Sequence, residues 1–177
     1  IEDAKSQGEI DCAFICTSPL SHADIIKLCL ENNWNVFSEI NLTDDGYPEN
    51  IELAERKKRL LFLSSTPLYQ GEMKAIHELV SKGEKPIRYV YHVGQYLPDW
   101  HPWERYQDFF IGRKRTNGCR EIFEIELPWM MHSFGAVKSV RASSSKITSL
   151  EIDYHDNYFV ELQHENGNAG IFIVDVV

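Results

Sequence analysis

The chain has 177 residues, 43% of them hydrophobic and 12% aromatic, enough for one sizeable folded domain or two small ones. Its net charge of -9 excludes broad binding to a nucleic-acid backbone, which needs clustered Lys and Arg. No apolar run approaches the roughly 20 residues that span a bilayer, and Ile1 to Asp11 lacks the basic-then-apolar order of a signal peptide, so a cytoplasmic protein without membrane contact is expected.

Ile10 to Cys16 is a short, nearly continuous apolar run, which suits a strand covered on both faces, as in a parallel sheet. Cys12 and Cys16 share one face of it and are expected as buried thiols. Together with Cys29 and Cys119 they show neither zinc spacing nor a C-x-x-C pair, so no metal site is read. Thr17-Ser18-Pro19 breaks the strand, and Ser21 is placed to N-cap a helix through about Asn32. Trp34 to Ser38 is the next strand, Asp44-Asp45-Gly46 a turn, and Tyr47 to Arg59 a second helix. Leu60 to Ser64 is a third strand, and a helix follows from Pro67 to Lys82, with Pro67 in the first turn. The basic runs Arg56-Lys57-Lys58-Arg59 and Arg113-Lys114-Arg115 read as solvated helix ends or loops. Asn41-Leu42-Thr43 reads as an accidental glycosylation sequon.

The pattern changes at residues 83–87. Ile87 to Gln95 is strand-like, an aromatic loop runs from Tyr96 to Asn117, and a helix spans Gly118 to Phe134. Strand-like runs follow at Val137–Ser143, Ser149–Asp153, Tyr158–His164 and Ala169–Val176. His164-Glu165-Asn166-Gly167-Asn168 forms a hairpin turn, since Asn and Gly tolerate positive φ. The expected fold class is α/β, a partial Rossmann-like parallel sheet followed by an α+β domain with a helix-backed, mostly antiparallel open sheet. The expected domains are 1–85, the C-terminal part of a dinucleotide-binding domain, and 86–177, a substrate and oligomerisation domain.

Two stretches carry a family resemblance. Phe14-Ile15-Cys16-Thr17-Ser18-Pro19-Leu20-Ser21-His22 with Val36-Phe37-Ser38-Glu39-Ile40-Asn41-Leu42 resembles the glucose–fructose oxidoreductase and inositol dehydrogenase (Gfo/Idh/MocA) family. That family shows a strand ending in C-T-P-P-x-x-H and, one helix later, a strand ending in E-K-P-L. Gly94-Gln95-Tyr96-Leu97-Pro98-Asp99-Trp100-His101-Pro102-Trp103 is similar to the loop that opens the substrate domain in a sugar-modifying branch. The resemblance implies NAD or NADP at the carboxyl ends of the parallel strands, where open α/β sheets hold their ligands. Thr17, Ser18, Pro19, His22 and Glu39 would lie beside the cofactor. Trp100 and Trp103 either stack on the nicotinamide or a sugar face, Trp100 then being a cofactor-binding residue, or anchor the loop to the core. It also implies a sugar or nucleotide-sugar substrate, hydride transfer at a hydroxyl, and a homo-oligomer formed through the C-terminal sheet.

Three departures qualify that pattern. None of the ten glycines forms G-x-G-x-x-G, whose backbone N–H groups hold a pyrophosphate, and the acidic residue for the adenine ribose is missing with it. The chain as given is therefore expected to bind NAD or NADP weakly or not at all. The E-K-P lysine aligns with Ile40, which has no proton to give. The family's histidine on the substrate-domain helix aligns with Ile125, beside Glu126. Glu124, Asp99, Tyr96 and Arg120 remain as polar candidates, and Glu126 and His101 are the acid–base residues the sequence favours. A catalytically inactive relative serving as a binding or assembly module is the alternative.

Overall fold

The computed structural model describes residues 2–6 and 8–177; Ile1 and Gln7, in the polar N-terminal stretch, lie outside the described residues. The chain forms two compact units, Ile1–Ser64 and Ser65–Val177.

In the first unit a single-turn helix α1 (Glu2–Lys5) precedes strand β1 (Cys12–Ile15), helix α2 (His22–Glu31), strand β2 (Asn35–Ser38), helix α3 (Tyr47–Lys57) and strand β3 (Leu61–Leu63). The strands are parallel in the order β1-β2-β3, with Ala13 opposite Val36 and Val36 opposite Leu61. Ile26, Cys29 and Leu30 recur at helical spacing along α2, and Leu53 and Ala54 along α3. Both helices bury these side chains against Ile15 and Val36 on one face of the sheet. Each buried Ile or Leu there contributes roughly 1.5–3 kcal/mol. Asn33, in the left-handed conformation at φ 61°, turns the chain from α2 into β2.

The other face of this sheet corrects the expectation of strands covered on both sides. Side chains alternate along a strand, so Cys12, Phe14 and Cys16 point away from α2 and α3. Phe14, Phe37 and Phe62 lie side by side there, their ring centroids 5.3 Å and 5.2 Å apart, and Phe14 is 73% exposed. Cys12 and Cys16 are exposed thiols, whereas Cys29 and Cys119 are buried.

The second unit contains helix α4 (Gly71–Ser81), strand β4 (Arg88–Gly94), helix α5 (Gly118–Phe134), and strands β5 (Val137–Ser145), β6 (Asn157–His164) and β7 (Ala169–Asp175). The sheet order is β4-β7-β6-β5. β5, β6 and β7 pair antiparallel, while β4 joins β7 in parallel. One face packs on α5, where Ile122, Trp129, Met130 and Phe134 meet Val160, Leu162, Phe172 and Val174. The opposite face is open, with Val90, Phe159 and Ile171 exposed. The fold is thus α/β, a parallel sheet followed by a helix-backed, mostly antiparallel one.

Helix α4, which sequence periodicity groups with the parallel strands, packs within the second unit. Met73, Ile76 and Val80 rest on its core, and His77 stacks on His132 of α5 at 4.1 Å. The hairpin turn before β7 forms as expected, with Gly167 at φ 87°. It also closes the end of α5, since Asn166 and Asn168 both donate their side-chain amides to the Phe134 carbonyl at 2.9 Å. The run at Ser149–Asp153 is not a strand. Its neighbourhood folds around Asp156, whose carboxylate accepts from the Ile147 and Thr148 amides at 2.7 and 3.1 Å and from the Thr148 hydroxyl. Backbone donors satisfied by a carboxylate need no neighbouring strand.

Candidate functional site

Where β1 and β2 end, the first unit gathers the residues singled out from the sequence. His22, at the start of α2, is buried, with 1% of its surface exposed. Its Nε2 lies 2.9 Å from the Thr17 carbonyl oxygen and 3.5 Å from Glu39 Oε1, and its Nδ1 lies 2.9 Å from Asn41 Oδ1. The Thr17 and Ser21 hydroxyls are 2.8 Å apart, and Ser21 Oγ donates to the Ser18 carbonyl. Pro19 is buried in the short 3-10 turn that leads into α2. Thr17, Ser18, Pro19, His22 and Glu39 therefore form one connected cluster. Both ring nitrogens of His22 are engaged, which suits it to ordering the turn. Glu39, its side chain 45% exposed, offers a carboxylate at the strand end. Asn41 completes the cluster. It stands where the family pattern has proline, and a polar side chain at that position was the available signal.

In the second unit the loop after β4 begins as an extension of the sheet. Gln95 donates its amide to the Asp175 carbonyl at 3.3 Å and Leu97 to the Val176 carbonyl at 3.1 Å. Leu97 is fully buried, and Trp100 donates its indole N–H to the Gln95 carbonyl at 3.0 Å while its ring packs against the core. The returning leg is fixed as well. Thr116 Oγ1 donates to the Phe110 carbonyl at 2.6 Å, and Tyr154 donates its hydroxyl to the Ile111 carbonyl at 2.8 Å.

The tip of this loop holds His101. Its Nδ1 lies 2.7 Å from Glu104 Oε1, and its ring stacks on Phe109 at 4.4 Å, tilted 7°, and on Trp103 at 4.9 Å, tilted 17°. Trp103 is 76% exposed, so it is Trp103 that presents an aromatic face to solvent, whereas Trp100 anchors the loop. Glu104 and Phe109 were missed in the sequence; the acidic residue three positions after His101 was the one local signal.

Glu126 is not part of this cluster. It is buried on α5 toward the sheet, where its Oε2 accepts from the Tyr91 hydroxyl at 2.9 Å and from the Trp129 indole N–H at 2.5 Å. Burial, the hydrogen bond to Glu126 and its charge together push the Tyr91 hydroxyl far above its usual range. Glu124 and Arg120 are exposed on the same helix, and Ile125 is half-buried. Among the described residues no group of three or more His, Cys, Asp or Glu could hold a metal ion, and no helix is long and apolar enough to cross a membrane.

No family model matches this chain, and no curated protein sequence matches it. Solved structures do. The WlbA dehydrogenase of Chromobacterium violaceum, crystallised with NADH and UDP-GlcNAcA, superposes with a TM-score of 0.84 at 16% identity over 100% of this chain and 52% of its own. The WlbA dehydrogenase of Bordetella pertussis, also with NADH and UDP-GlcNAcA, gives 0.83 at 15% identity over 99% of this chain and 54% of its own. GenD2 from gentamicin A biosynthesis, in complex with NAD, gives 0.82 at 16% identity over 99% and 51%. What the chain shares with these proteins is the fold. It spans about half the length of the solved structures it matches.

Proposed function

We propose that the chain is part of an NAD(P)-dependent oxidoreductase acting on a hydroxyl of a sugar or nucleotide sugar by hydride transfer. The observation that carries this reading is the connected cluster Thr17–His22–Glu39–Asn41 at the carboxyl ends of parallel strands, the place where open α/β sheets hold nucleotides. Solved relatives in fold that bind NADH and a nucleotide sugar lend it support. In this reading the parallel segment within residues 1–85 holds the cofactor through Thr17, Ser18, Pro19, His22 and Glu39, and residues 86–177 hold the substrate. The residues present fit one rim of a dinucleotide site; the glycine loop that would hold its pyrophosphate is not in this sequence. When bound, NAD(P) supplies the hydride acceptor.

The departing hydroxyl proton needs a protein group, and neither Ile40 nor Ile125 can take it. Of the two acid–base candidates, His101 is half-exposed with one nitrogen held by Glu104, while Glu126 has Oε2 engaged by two donors inside the core. His101 is therefore assigned the proton, Glu126 an anchoring role, and Trp100 the support of the loop that carries His101. Self-association through the open sheet face carrying Val90, Phe159 and Ile171 belongs to the same reading. So does a cytoplasmic location, in keeping with four cysteines that form no disulfide.

A second reading rests on Ile40 and Ile125: a relative that binds without turnover. The test follows nicotinamide absorbance in the full natural polypeptide across sugars and nucleotide sugars, together with calorimetry for NAD(P) and for each sugar. Turnover supports the oxidoreductase. Binding without turnover selects the second reading, and a folded protein that binds neither class of ligand overturns both.

A further inference from the structure

We propose that the loop tip is a sugar subsite in which Glu104 is the positioning residue for His101 and Trp103 is the platform on which the sugar ring stacks; this rests on the oxidoreductase reading for the sugar and on geometry alone for Glu104. A carboxylate oxygen only accepts hydrogen bonds. At 2.7 Å from Glu104 Oε1, the Nδ1 of His101 must therefore carry the hydrogen. In the neutral ring this leaves the lone pair on Nε2, which meets no hydrogen-bond partner among the described residues. The tautomer is thus set by Glu104, acting through His101.

The ring's orientation is set as firmly. The rings of Phe109 and Trp103 both lie nearly parallel to it, at 7° and 17°, so it cannot rotate without losing both contacts. The loop beneath is tied to the sheet by Leu97 and Trp100 and to the core by Thr116 and Tyr154. An acid–base group held in this manner keeps its geometry without reorganising at each turnover.

Trp103 adds the substrate class. An indole 76% exposed gains nothing from burial at its outer face, yet it is held flat by the stack on His101. The negatively polarised face of such a ring suits the C–H face of a pyranose, with the sugar's hydroxyls directed past its rim. On the oxidoreductase reading, His101 Nε2 would accept the proton of the substrate hydroxyl as its carbon–oxygen bond becomes a carbonyl, and NAD(P), when bound, would supply the two-electron oxidant that takes the hydride. No other oxidant is needed.

Two measurements decide the matter separately. The nitrogen chemical shifts of His101, assigned by their loss in H101Q, report the tautomer with no ligand present. Wild type is expected with hydrogen on Nδ1, and E104Q with a mixture of both tautomers. The same Nδ1 tautomer in both proteins overturns the positioning role, whatever the protein's function. Titration with UDP-glucuronate and with methyl glucoside is then followed by calorimetry in wild type, W103F and W103A. The expected result is several-fold weaker binding in W103A and near-wild-type binding in W103F. Equal affinity in all three overturns the platform. No binding of either sugar by folded wild type overturns the platform and the sugar reading together, and leaves the tautomer result to judge Glu104.

Discussion

Tyr91 on β4 and Glu126 on α5 are joined by a 2.9 Å hydrogen bond inside the second core, and the same carboxylate oxygen receives the Trp129 indole N–H. One buried carboxylate therefore ties the parallel edge strand to the helix that covers the sheet. Glu126→Ala leaves two buried donors without an acceptor and is expected to cost about 2–6 kcal/mol, at ~1–3 for each. Glu126→Gln keeps an acceptor and loses less. Urea denaturation of the two variants checks the order. A Glu126→Gln protein of wild-type stability that loses turnover would instead return Glu126 to the proton step.

Acid acts on the second unit through Asp156. Burial alone would raise its carboxyl, but the Thr148 hydroxyl and the amides of Ile147 and Thr148 outweigh that and hold it below the ordinary 3.8. Its folded-state value is depressed, so its contribution to stability is fully present above the unfolded value and is lost as pH falls through the folded one. Denaturation midpoints of wild type and Asp156→Asn are expected to differ at neutral pH and to draw together only as pH falls from about 4, the ordinary range of a carboxylate, through the depressed folded value. A gap that persists at low pH contradicts this.

Two glycines are expected to respond oppositely to alanine. A Cβ at Gly112 would overlap the Tyr106 carbonyl and the Gln107 Cα, which are backbone atoms and cannot swing aside. Gly112→Ala is expected to cost about 1–3 kcal/mol, the usual penalty of overpacking, and to disturb the His101 signals through the loop. At Gly71, the first residue of α4, no atom lies within 4 Å of an added Cβ. Gly71→Ala is expected to stabilise by about 0.4–1 kcal/mol, by restricting the unfolded chain. Thermal melts of both variants give the comparison.

The thiols report on the two sheets. Cys12 and Cys16 are exposed, while Cys29 and Cys119 are buried and burial pushes the Cys119 thiol up to about 12. Alkylation of the native protein is expected to label Cys12 and Cys16 quickly and the other two only after denaturation, as read by mass spectrometry. Rapid native labelling of Cys119 contradicts the packing of α5.

Elements governed by neighbours in sequence were legible without coordinates: the strand–helix alternation through β3, helix α5, and the turn at Gly167, whose positive φ glycine and asparagine tolerate. The cluster around His22 was legible too, because β1 and β2 are separated by one helix and their ends must meet. Sequence periodicity states which side of an element is apolar, but not what will cover it. It could not show that Phe14 stays exposed while Val36 is buried, or that α4 rests on α5. Nor could it reveal that Gly94 pairs with Asp175, or that Glu126 turns inward to Tyr91. Those outcomes depend on contacts between residues distant along the chain, which only the packed tertiary structure selects, because each such contact must outweigh the entropy of closing the loop between its partners.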